Sequence, residues 1–201
     1  MTESPGDVTL QTYEAQASEY AAQTTDADSP LLEIVLERIG GEVPAGGSVL
    51  ELGSGPGREA DTLEAAGLRV RRTDGAQAFV DMMRAAGHHA EVLDYRSDPL
   101  DGPYDLVFAE ATLLHLTRAE LSSLLYRLAG SLRDGGLLAF SVKEGDGDGW
   151  TTARLGEPRW YTYWREDGLR EVLERCGWEV RLLQTHDAAA GRWIDVLAQP
   201  R

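Results

Sequence analysis

The stretch Val49-Leu50-Glu51-Leu52-Gly53-Ser54-Gly55-Pro56-Gly57-Arg58-Glu59 decides the fold of this chain. Its first four residues are mostly apolar and predict a buried β-strand. Gly53, Gly55 and Gly57 lack a Cβ atom, so the backbone can turn sharply there and a ligand can lie against its peptide groups. A helix predicted from about residue 58 to 66 directs its unpaired N–H groups at the same place. The stretch therefore indicates a binding site for an anionic or carboxylate-bearing, nucleotide-like ligand.

From this turn onward, predicted strands alternate with helices of about ten residues. The strands are predicted at 48–52, 68–73, 90–93, 104–109 and 137–142, and the helices at 58–66, 77–86, 118–132 and 166–176. This alternation is typical of βαβ crossovers and a parallel sheet. The strand at 104–109 is continuously apolar, as expected at the centre of a sheet covered on both faces. Two last strands, 178–184 and 193–198, are separated by a short loop and predict an antiparallel hairpin.

The chain length of 201 residues predicts one domain that spans residues 1–201. Residues 1–9 are expected to be flexible. Residues 10–40 are expected to form N-terminal helices, of which the first presents Tyr13 and Tyr20 on one face. The segment 143–165 is rich in glycine, aspartate and aromatic residues and is too long for a simple connection, so it predicts a functional lid loop.

Composition excludes several classes of function. The net charge of −15 argues against a nonspecific nucleic-acid-binding protein. The single cysteine, Cys176, excludes an intrachain disulfide and a cluster of thiolate metal ligands. No apolar run approaches the roughly 18 residues that span a bilayer, and the N-terminus does not resemble a signal peptide. We therefore expect a cytoplasmic protein, a monomer or homodimer, that acts on a small molecule and binds neither nucleic acid nor membrane.

Acidic residues fall at the ends of four successive predicted strands: Glu51, Asp74, Asp94 and Glu110. In an open parallel sheet these ends lie at the ligand-binding edge. Asp74 follows Gly53 by 21 positions, the spacing at which a carboxylate accepts hydrogen bonds from both ribose hydroxyls. A single acid at a strand end is as easily a helix cap or a solvated side chain. Four acids together with the glycine turn predict a nucleoside site.

These motifs resemble the class I S-adenosylmethionine-dependent methyltransferases, of the small-molecule methyltransferase-domain type common in bacteria. The resemblance runs from about Tyr13 to the C-terminus and is most specific at residues 49–57, where an acid precedes the first glycine by two positions. Further matching segments are Asp74-Gly75 with Met82-Met83, Phe108-Ala109-Glu110-Ala111 with Leu114-His115, and Leu132-Arg133-Asp134-Gly135-Gly136-Leu137-Leu138. The resemblance implies a Rossmann-like, doubly wound α/β fold. Its seven-stranded, mostly parallel sheet would end in an antiparallel C-terminal hairpin, with helices on both faces.

The resemblance also implies that S-adenosyl-L-methionine is the cofactor and S-adenosyl-L-homocysteine the product. The implied cofactor-binding residues are Tyr13, Tyr20, Glu51, Gly53, Ser54, Gly55, Gly57, Asp74, Gly75, Asp94, Tyr95, Glu110 and Ala111. Asp74 would hold the ribose, Asp94 and Tyr95 would face the adenine amino group, and Glu110 would lie beside the methionine amine. The chain departs from the family pattern at Ala76, where a serine is often found, and at residues 94–99, which replace a more apolar segment.

The methyl acceptor would lie on the same edge of the sheet. His115 is the candidate catalytic base, because its ordinary pKa suits removal of a proton from an ammonium, phenol or alcohol. The alternative role for His115 is to cap or pack at a helix start, and a carboxylate acceptor would need no base. The candidate substrate-binding residues are His115, Lys143, Trp160, Tyr161, Tyr163 and Trp164. The aromatic residues either form a pocket wall or fill the gap beside the sheet. Arg154, Arg159 and Arg165 either recognise an anionic substrate or are surface charges. No metal site is predicted.

Three functions remain in competition at this point, beside methyl transfer to RNA or protein, which no added binding domain and no basic patch supports. The first is methyl transfer to an oxygen or nitrogen of a small molecule. The second is a catalytically silent module that binds S-adenosylmethionine or S-adenosylhomocysteine. The third is a nicotinamide-dependent oxidoreductase, against which Arg58 argues, because it stands where the third glycine of a dinucleotide fingerprint belongs.

Overall fold

The structure is a computed structural model that describes residues 3–24 and 29–201. Its helices are α1 Pro5–Gln23, α2 Pro30–Leu36, α3 Arg58–Ala65, α4 Gln77–Ala85, α5 Arg118–Ser131 and α6 Glu166–Arg175, with a 3-10 turn at Leu113–His115. Its strands are β1 Ser48–Leu52, β2 Arg69–Asp74, β3 Ala90–Val92, β4 Tyr104–Ala109, β5 Leu132–Lys143, β6 Asp148–Thr151, β7 Arg159–Thr162, β8 Trp178–Ala188 and β9 Gly191–Pro200.

Seven strands form the main sheet in the order β3-β2-β1-β4-β5-β9-β8. The first four pairings in that order are parallel, whereas β9 runs antiparallel to both β5 and β8. The predicted α/β fold, a doubly wound and mostly parallel sheet with an antiparallel C-terminal hairpin, is confirmed. The winding direction reverses between β1 and β4, and the carboxyl ends of these strands border the crevice at which doubly wound sheets bind ligands.

Helices cover both faces of the sheet, which explains why its central strands read as continuous apolar runs. On one face, Leu50 and Val107 pack in a cluster with the leucines of α5 and α6. On the other, Val49 and Leu106 pack with Leu31, Val35 and Leu63 of α2 and α3. Every residue of β4 is buried. The sheet is therefore a rigid support for the loops at its carboxyl edge.

The N-terminus differs from the sequence-based expectation. Residues 1–9 were expected to be flexible, but α1 begins at Pro5, so that expectation is wrong for residues 5–9; residues 1 and 2 lie outside the described part of the chain. Ser4 and Asp7 form a capping box, and Pro5 occupies the first turn, where a missing N–H costs nothing. Asp7 also pairs with Arg96 at 2.9 Å. Local capping and a long-range ion pair thus order a segment whose composition is polar.

The segment 143–165 is not the irregular loop that its composition predicts. It contains a β-hairpin, in which β6 and β7 pair in antiparallel register with Trp150 opposite Trp160. This hairpin is fixed to α1 by two hydrogen bonds: Thr12 Oγ1 donates to the Pro158 carbonyl at 2.7 Å, and the Trp160 N–H donates to Thr9 Oγ1 at 2.9 Å. Glycines and charged residues lie between the aromatic residues of this segment. The alternation of apolar and polar residues that would predict the two strands is therefore not visible in the sequence.

Candidate functional site

A cleft of about 690 Å³, counting space open to solvent, lies between α1 and the carboxyl ends of the parallel strands. Ten of the residues predicted to bind the cofactor line it: Tyr13, Tyr20, Gly53, Gly55, Asp74, Gly75, Asp94, Tyr95, Glu110 and Ala111. His115 lines the same cleft. Residues more than 90 positions apart in sequence therefore converge on one cavity, as the parallel topology requires.

Three of the predicted cofactor residues, Glu51, Ser54 and Gly57, do not line this cleft; they shape the turn beneath it. Ser54 Oγ accepts a hydrogen bond from the Thr73 N–H at 3.1 Å, which ties the turn to β2. Burial raises the pKa of Glu51 to about 8, and its Oε2 atom has no hydrogen-bond partner among the described residues. Glu51 therefore lies beneath the turn as a buried carboxyl group and does not face the cleft.

Residue 53 must be glycine for two reasons: its backbone angle and the lack of space for a side chain. Its φ is +69°, and a Cβ atom there would lie 2.3 Å from Oγ1 and 2.7 Å from Cβ of Thr112. Gly67 shares a positive φ of +90°, but a Cβ atom at that position meets nothing within 4 Å. Substitutions at these two positions therefore distinguish the free-energy cost of the backbone angle from the cost of the close approach to Thr112.

Gly53→Ala is expected to lower the free energy of unfolding by roughly 2–4 kcal/mol, since left-handed strain and overpacking add. Gly67→Ala, the matched control, should cost only about 1–2 kcal/mol for the backbone angle. Urea unfolding followed by circular dichroism measures both values. Equal losses in the two variants would show that the contact between residue 53 and Thr112 does not restrict the turn.

Asp74 organises the backbone around the cleft. Its Oδ2 accepts from the Gly55 N–H at 2.9 Å and its Oδ1 from the Ala76 N–H at 2.8 Å. Burial raises the pKa of Asp74 to about 6. Each carboxylate oxygen retains a second lone pair, so both oxygens can still accept from neighbouring hydroxyl groups of a ligand. The side chain of Ala76 cannot cap α4, and the Ala78 N–H in the first turn of that helix donates instead to Glu14 Oε2 of α1 at 3.0 Å.

Asp94 lines the cleft but carries a counterion that sequence reasoning did not identify. The Arg96 guanidinium donates to Asp94 Oδ1 at 2.9 Å and to Oδ2 at 2.7 Å, and it also donates to Asp7 at 2.9 Å. Burial by itself would raise the pKa of Asp94, but the hydrogen bonds from Arg96 hold that pKa below its ordinary value. Asp94 is thus a fixed carboxylate, and α1 is attached to this wall of the cleft through Arg96.

Glu110 stands at the end of β4 between two hydroxyl groups. Ser29 Oγ donates to one of its carboxyl oxygens at 2.9 Å, and Ser141 Oγ donates to the other at 3.0 Å. Burial in the cleft raises the pKa of Glu110 to about 7. A carboxyl group in this state favours the approach of a cation, because a positive charge nearby stabilises its ionised form.

The raised carboxyl pKa values predict how stability depends on pH. Glu51 and Glu110 keep protons in the folded state that the unfolded chain releases near pH 4.5, so the free energy of unfolding falls as pH rises through 7 and 8. The lowered pKa of His115 has the opposite effect, a stability that rises with pH, but only below about pH 6.5. Between pH 6.5 and 8 the ligand-free protein should lose roughly 1–2 kcal/mol in urea unfolding. The same experiment on Glu51→Gln should show a weaker decline; a stability that rises over this range would contradict the prediction.

His115 does not present a free nitrogen to an acceptor. Its Nδ1 lies 2.8 Å from the Trp160 carbonyl, which can only accept, so the proton of the neutral ring resides on Nδ1. Its Nε2 lies 2.9 Å from the Tyr13 hydroxyl and accepts from it. Burial lowers the pKa of His115 to about 4. The geometry therefore makes His115 a residue that positions Tyr13, and its predicted role as catalytic base is not supported by the contacts of either ring nitrogen.

A second cavity, of about 760 Å³ counting space open to solvent, adjoins the first and shares Tyr13, Tyr20 and Ala111 with it. We call it the acceptor pocket, after the sequence-based expectation that the methyl acceptor binds at this edge of the sheet. Its remaining lining residues are Leu114, Lys143, Thr151, Ala153, Arg154, Arg159, Tyr161, Tyr163, Ala190 and Trp193. Of the predicted substrate residues, Lys143, Tyr161 and Tyr163 are in this lining. Arg154 and Arg159, which the sequence left as either substrate contacts or surface charges, are there too, and Trp193 was missed because it lies in the distant C-terminal hairpin.

Two of the predicted substrate residues, Trp160 and Trp164, are not among the residues that line this pocket. Trp164 is only 3% exposed and packs in the core, where the Arg118 guanidinium lies 4.2 Å from its ring centre. Trp160 packs edge-on against Trp150 and donates from Nε1 to Thr162 Oγ1 at 3.2 Å. Composition alone cannot separate aromatic residues that line a pocket from those that fill the space behind it.

One group of potential metal ligands occurs outside the two cavities, at Asp61, Glu64 and His88. Arg72 already donates to Asp61 at 2.8 Å and to Glu64 at 2.6 Å. This buried guanidinium supplies the positive charge that the two carboxylates require. The cluster is explained as an ion-pair network, and the sequence-based expectation of no metal site stays a prediction.

A family profile described as "Methyltransferase domain" matches residues 24–183, most of the chain. The chain belongs to the methyltransferase-domain family. The resemblance to class I S-adenosylmethionine-dependent methyltransferases is thereby confirmed. Within this methyltransferase, the matched region contains the glycine turn and Glu51, Asp74, Asp94 and Glu110, whereas the whole of α1 precedes it.

Solved methyltransferases share the fold of this methyltransferase at low sequence identity. DhpI, in a complex titled DhpI-SAM-HEP, has a TM-score of 0.78 and 22% identity, with 99% of this chain and 100% of that chain covered. Magnesium protoporphyrin IX methyltransferase from Synechocystis PCC 6803, with bound SAM, has a TM-score of 0.76 and 15% identity, with 100% and 99% covered. The 1,6-didemethyltoxoflavin-N1-methyltransferase of Burkholderia thailandensis, with S-adenosylhomocysteine, has a TM-score of 0.73 and 17% identity, with 100% and 92% covered.

A comparison with curated protein sequences finds no match for this methyltransferase. In residues 3–24 and 29–201, no helix combines the length and the apolar character needed to cross a bilayer.

Proposed function

We propose that this methyltransferase transfers a methyl group from S-adenosylmethionine to an oxygen or nitrogen of a small molecule. The observation that carries the proposal is the junction of the two cavities. The first has the glycine turn and three acidic residues at its wall, and the acceptor pocket opens beside it across Tyr13, Tyr20 and Ala111. A donor and an acceptor held in these adjoining spaces would meet at that junction.

The chemistry of the first cavity fits S-adenosylmethionine. Asp74 offers two oxygens for ribose hydroxyls, and Asp94, Tyr95 and Arg96 form the neighbouring wall for the base. Glu110, which lines this cavity with a pKa raised to about 7, favours the ammonium and sulfonium charges of the methionine half. The presence of this cofactor or its product in the three structural neighbours supports the assignment.

S-adenosylmethionine supplies a methyl group on a positively charged sulfur, and the leaving thioether is neutral. The contribution expected of the protein is therefore alignment, which can account for several kcal/mol of a barrier. Tyr13 is fixed for this purpose from two sides, by His115 Nε2 at 2.9 Å and by Arg159 Nη1 at 3.0 Å. Because α1 provides Tyr13 and Tyr20, the N-terminal helix closes the wall between cofactor and acceptor.

The competing candidate is a catalytically silent module that binds the same cofactor. The acceptor pocket favours an enzyme, since a module that only binds cofactor needs no second cavity beside the sulfonium. Isothermal titration calorimetry with S-adenosylhomocysteine and with NAD, followed by methyl transfer to a panel of small oxygen and nitrogen acceptors, tests these alternatives. We expect S-adenosylhomocysteine to bind and NAD not to bind. Binding of NAD alone would overturn the proposal, and cofactor binding without turnover on any acceptor would favour the module.

The expectations about the acceptor, the location, the partners and the oligomeric state belong to the same proposal. A small-molecule acceptor, a cytoplasmic location, the absence of nucleic acid as a partner and a monomeric or homodimeric state stay predictions from the sequence. The net charge of −15 supports the exclusion of nucleic acid, because phosphate backbones bind positively charged surfaces.

A further inference from the structure

Resting on the proposed function, we infer that the acceptor is a small oxyacid whose anionic group is bound by Arg159, with Arg154 and Lys143, and whose oxygen takes the methyl group. The inference identifies the class of substrate for the acceptor pocket. It is drawn from the charge, burial and hydrogen bonding of that pocket.

The acceptor pocket has a charge opposite to that of the whole molecule. The protein carries a net charge of −15, yet the pocket is lined by three cationic side chains, Lys143, Arg154 and Arg159. Its lining within residues 3–24 and 29–201 includes no aspartate, glutamate or histidine. The other polar groups there are mainly tyrosine hydroxyls, which can donate to an anion. A cation-lined pocket in an acidic protein concentrates anionic ligands and repels cationic amines.

Arg159 is buried without a carboxylate partner. It is 2% exposed, and no acid in the described ranges forms an ion pair with it. Its Nη1 donates to the Tyr13 hydroxyl at 3.0 Å, its Nη2 donates to the Ala153 carbonyl, and its Nε has no partner in the same ranges. Burial of an unpaired guanidinium costs several kcal/mol of desolvation. An oxyanion in the pocket would offset that cost and accept hydrogen bonds from the planar guanidinium.

The two other cations are also free of acidic partners among the described residues. The Lys143 ammonium donates to the Ala190 carbonyl and lies 4.0 Å from the ring centre of Trp193. Burial, and then repulsion from Arg154, lowers the pKa of Lys143 to about 8, so an anion beside it would favour its charged form. Arg154 is exposed at the pocket mouth, with its guanidinium carbon 6.0 Å from the Tyr20 ring centre.

The location of Arg159 places the anion at the reacting end of the pocket. Its guanidinium contacts Tyr13, which lines both cavities, and its central carbon lies 5.5 Å from the ring centres of Tyr13 and Tyr161. An oxyanion bound there lies beside the wall through which the methyl group must pass. The anchoring group and the attacking atom are therefore in the same part of the pocket.

An oxyanion acceptor needs no base to remove a proton. This suits a pocket whose described lining contains no carboxylate or imidazole group. The acceptor is already deprotonated at neutral pH. A lone pair of its oxygen forms the new O–CH₃ bond, the C–S bond breaks, and that electron pair stays on the sulfur of neutral S-adenosylhomocysteine. No proton has to move, so the occupied nitrogens of His115 are no obstacle. The product is a methyl ester that has lost one negative charge and with it much of the attraction to Arg159.

The test uses the protein of residues 1–201 with S-adenosylmethionine labelled in its methyl group. Small carboxylic acids and phosphate monoesters are offered beside amides and neutral alcohols of the same shape, for example benzoate, phenyl phosphate, benzamide and benzyl alcohol. Mass spectrometry identifies the products. Mild alkali releases labelled methanol from carboxyl methyl esters but not from phosphoryl methyl esters, which distinguishes the two sources of oxyanion. We expect transfer to at least one class of oxyacid, at least about tenfold faster in kcat/KM than to its neutral analogue.

Three variants test whether the preference for oxyacids arises in the acceptor pocket. Arg154→Gln, at an exposed position, should raise KM for the oxyacid several-fold, and Arg159→Gln should lower its kcat/KM by about tenfold or more. Arg170→Gln removes the same charge from an exposed site on α6, outside both cavities, and is the matched control. Affinity for S-adenosylhomocysteine and thermal unfolding verify that each variant is folded; if Arg159→Gln unfolds, Arg154→Gln carries the test.

Two results would overturn the inference while leaving the proposed function intact. One is methyl transfer to neutral analogues at the rate of the oxyacids, or to nitrogen alone. The other is a loss of oxyacid turnover in Arg154→Gln no larger than in Arg170→Gln. Failure of the proposed function would look different, because S-adenosylhomocysteine would not bind to the unmodified protein.

Discussion

Asp74→Ala is expected to weaken the affinity for S-adenosylhomocysteine by roughly 30-fold to 1,000-fold. The variant removes the two oxygens that we propose accept from the ribose hydroxyls. Loss of one to two hydrogen bonds to a charged group, at about 1.5–3 kcal/mol each, corresponds to a loss of affinity of this order. Asp74 also accepts from the N–H groups of Gly55 and Ala76, so we expect an additional loss of stability of about 1–2 kcal/mol. Calorimetry measures the affinity, and urea unfolding measures the stability.

Asp81→Ala is the matched control for this variant. Asp81 lies on α4, in the same part of the chain, but it is exposed and bonds only to Gln77 and Arg84 on its own helix. It should leave affinity for S-adenosylhomocysteine within about twofold, since exposed helix pairs contribute only a few tenths of a kcal/mol. An Asp74→Ala protein that stays folded and binds as tightly as the unmodified protein would show that the ribose is held by other groups.

Trp164→Ala is expected to lower the free energy of unfolding by about 3–5 kcal/mol, the range for loss of a buried aromatic side chain. Trp164 is 3% exposed and packs in the large core cluster, and Arg118 stacks on its ring. Since a small domain has only about 5–15 kcal/mol of stability, the variant should unfold at a much lower temperature. Circular dichroism during heating and in urea measures the loss.

The neighbouring variant Tyr163→Ala should behave differently. Tyr163 is partly exposed and lines the acceptor pocket, so its removal should lower methyl-transfer turnover while affinity for S-adenosylhomocysteine stays within about twofold and stability falls by about 1 kcal/mol. Adjacent aromatic residues would thus separate a core role from a pocket role. A Tyr163→Ala protein that loses as much stability as Trp164→Ala, with normal turnover once folded, would refute this division.

The central part of the fold could be predicted because its signals are local. The glycine turn, the apolar strand before it and the acids at the strand ends each follow from backbone geometry within a few residues, and the parallel topology then brings the strand ends together. Asp74 and Glu110 were predicted for this reason, and both line the cleft. The fully apolar strand at 104–109 likewise indicated its central position, and every residue in it is buried.

The elements that depend on distant contacts could not be predicted in the same way. Residues 5–9 have a local helix start at Ser4, Pro5 and Asp7, but their order also depends on an ion pair with Arg96, 89 positions further along the chain. The hairpin of β6 and β7 is held by hydrogen bonds to α1 that join residues 146 and 151 positions apart. The free-energy gain from such contacts exists only after the chain has folded, so no local pattern reports it.

The sequence by itself determined the fold class, the family and the positions of the acids that border the first cleft, because strand ends and glycine turns are encoded by neighbouring residues. Only the tertiary structure decided what His115, Trp164 and Arg159 do. His115 has both ring nitrogens occupied, Trp164 is in the core, and Arg159 is buried beside Tyr13 without an acidic partner in the described part of the chain. These outcomes depend on which side chains surround each residue from several elements, and that arrangement arises only when helix α1, the hairpin and the sheet pack together.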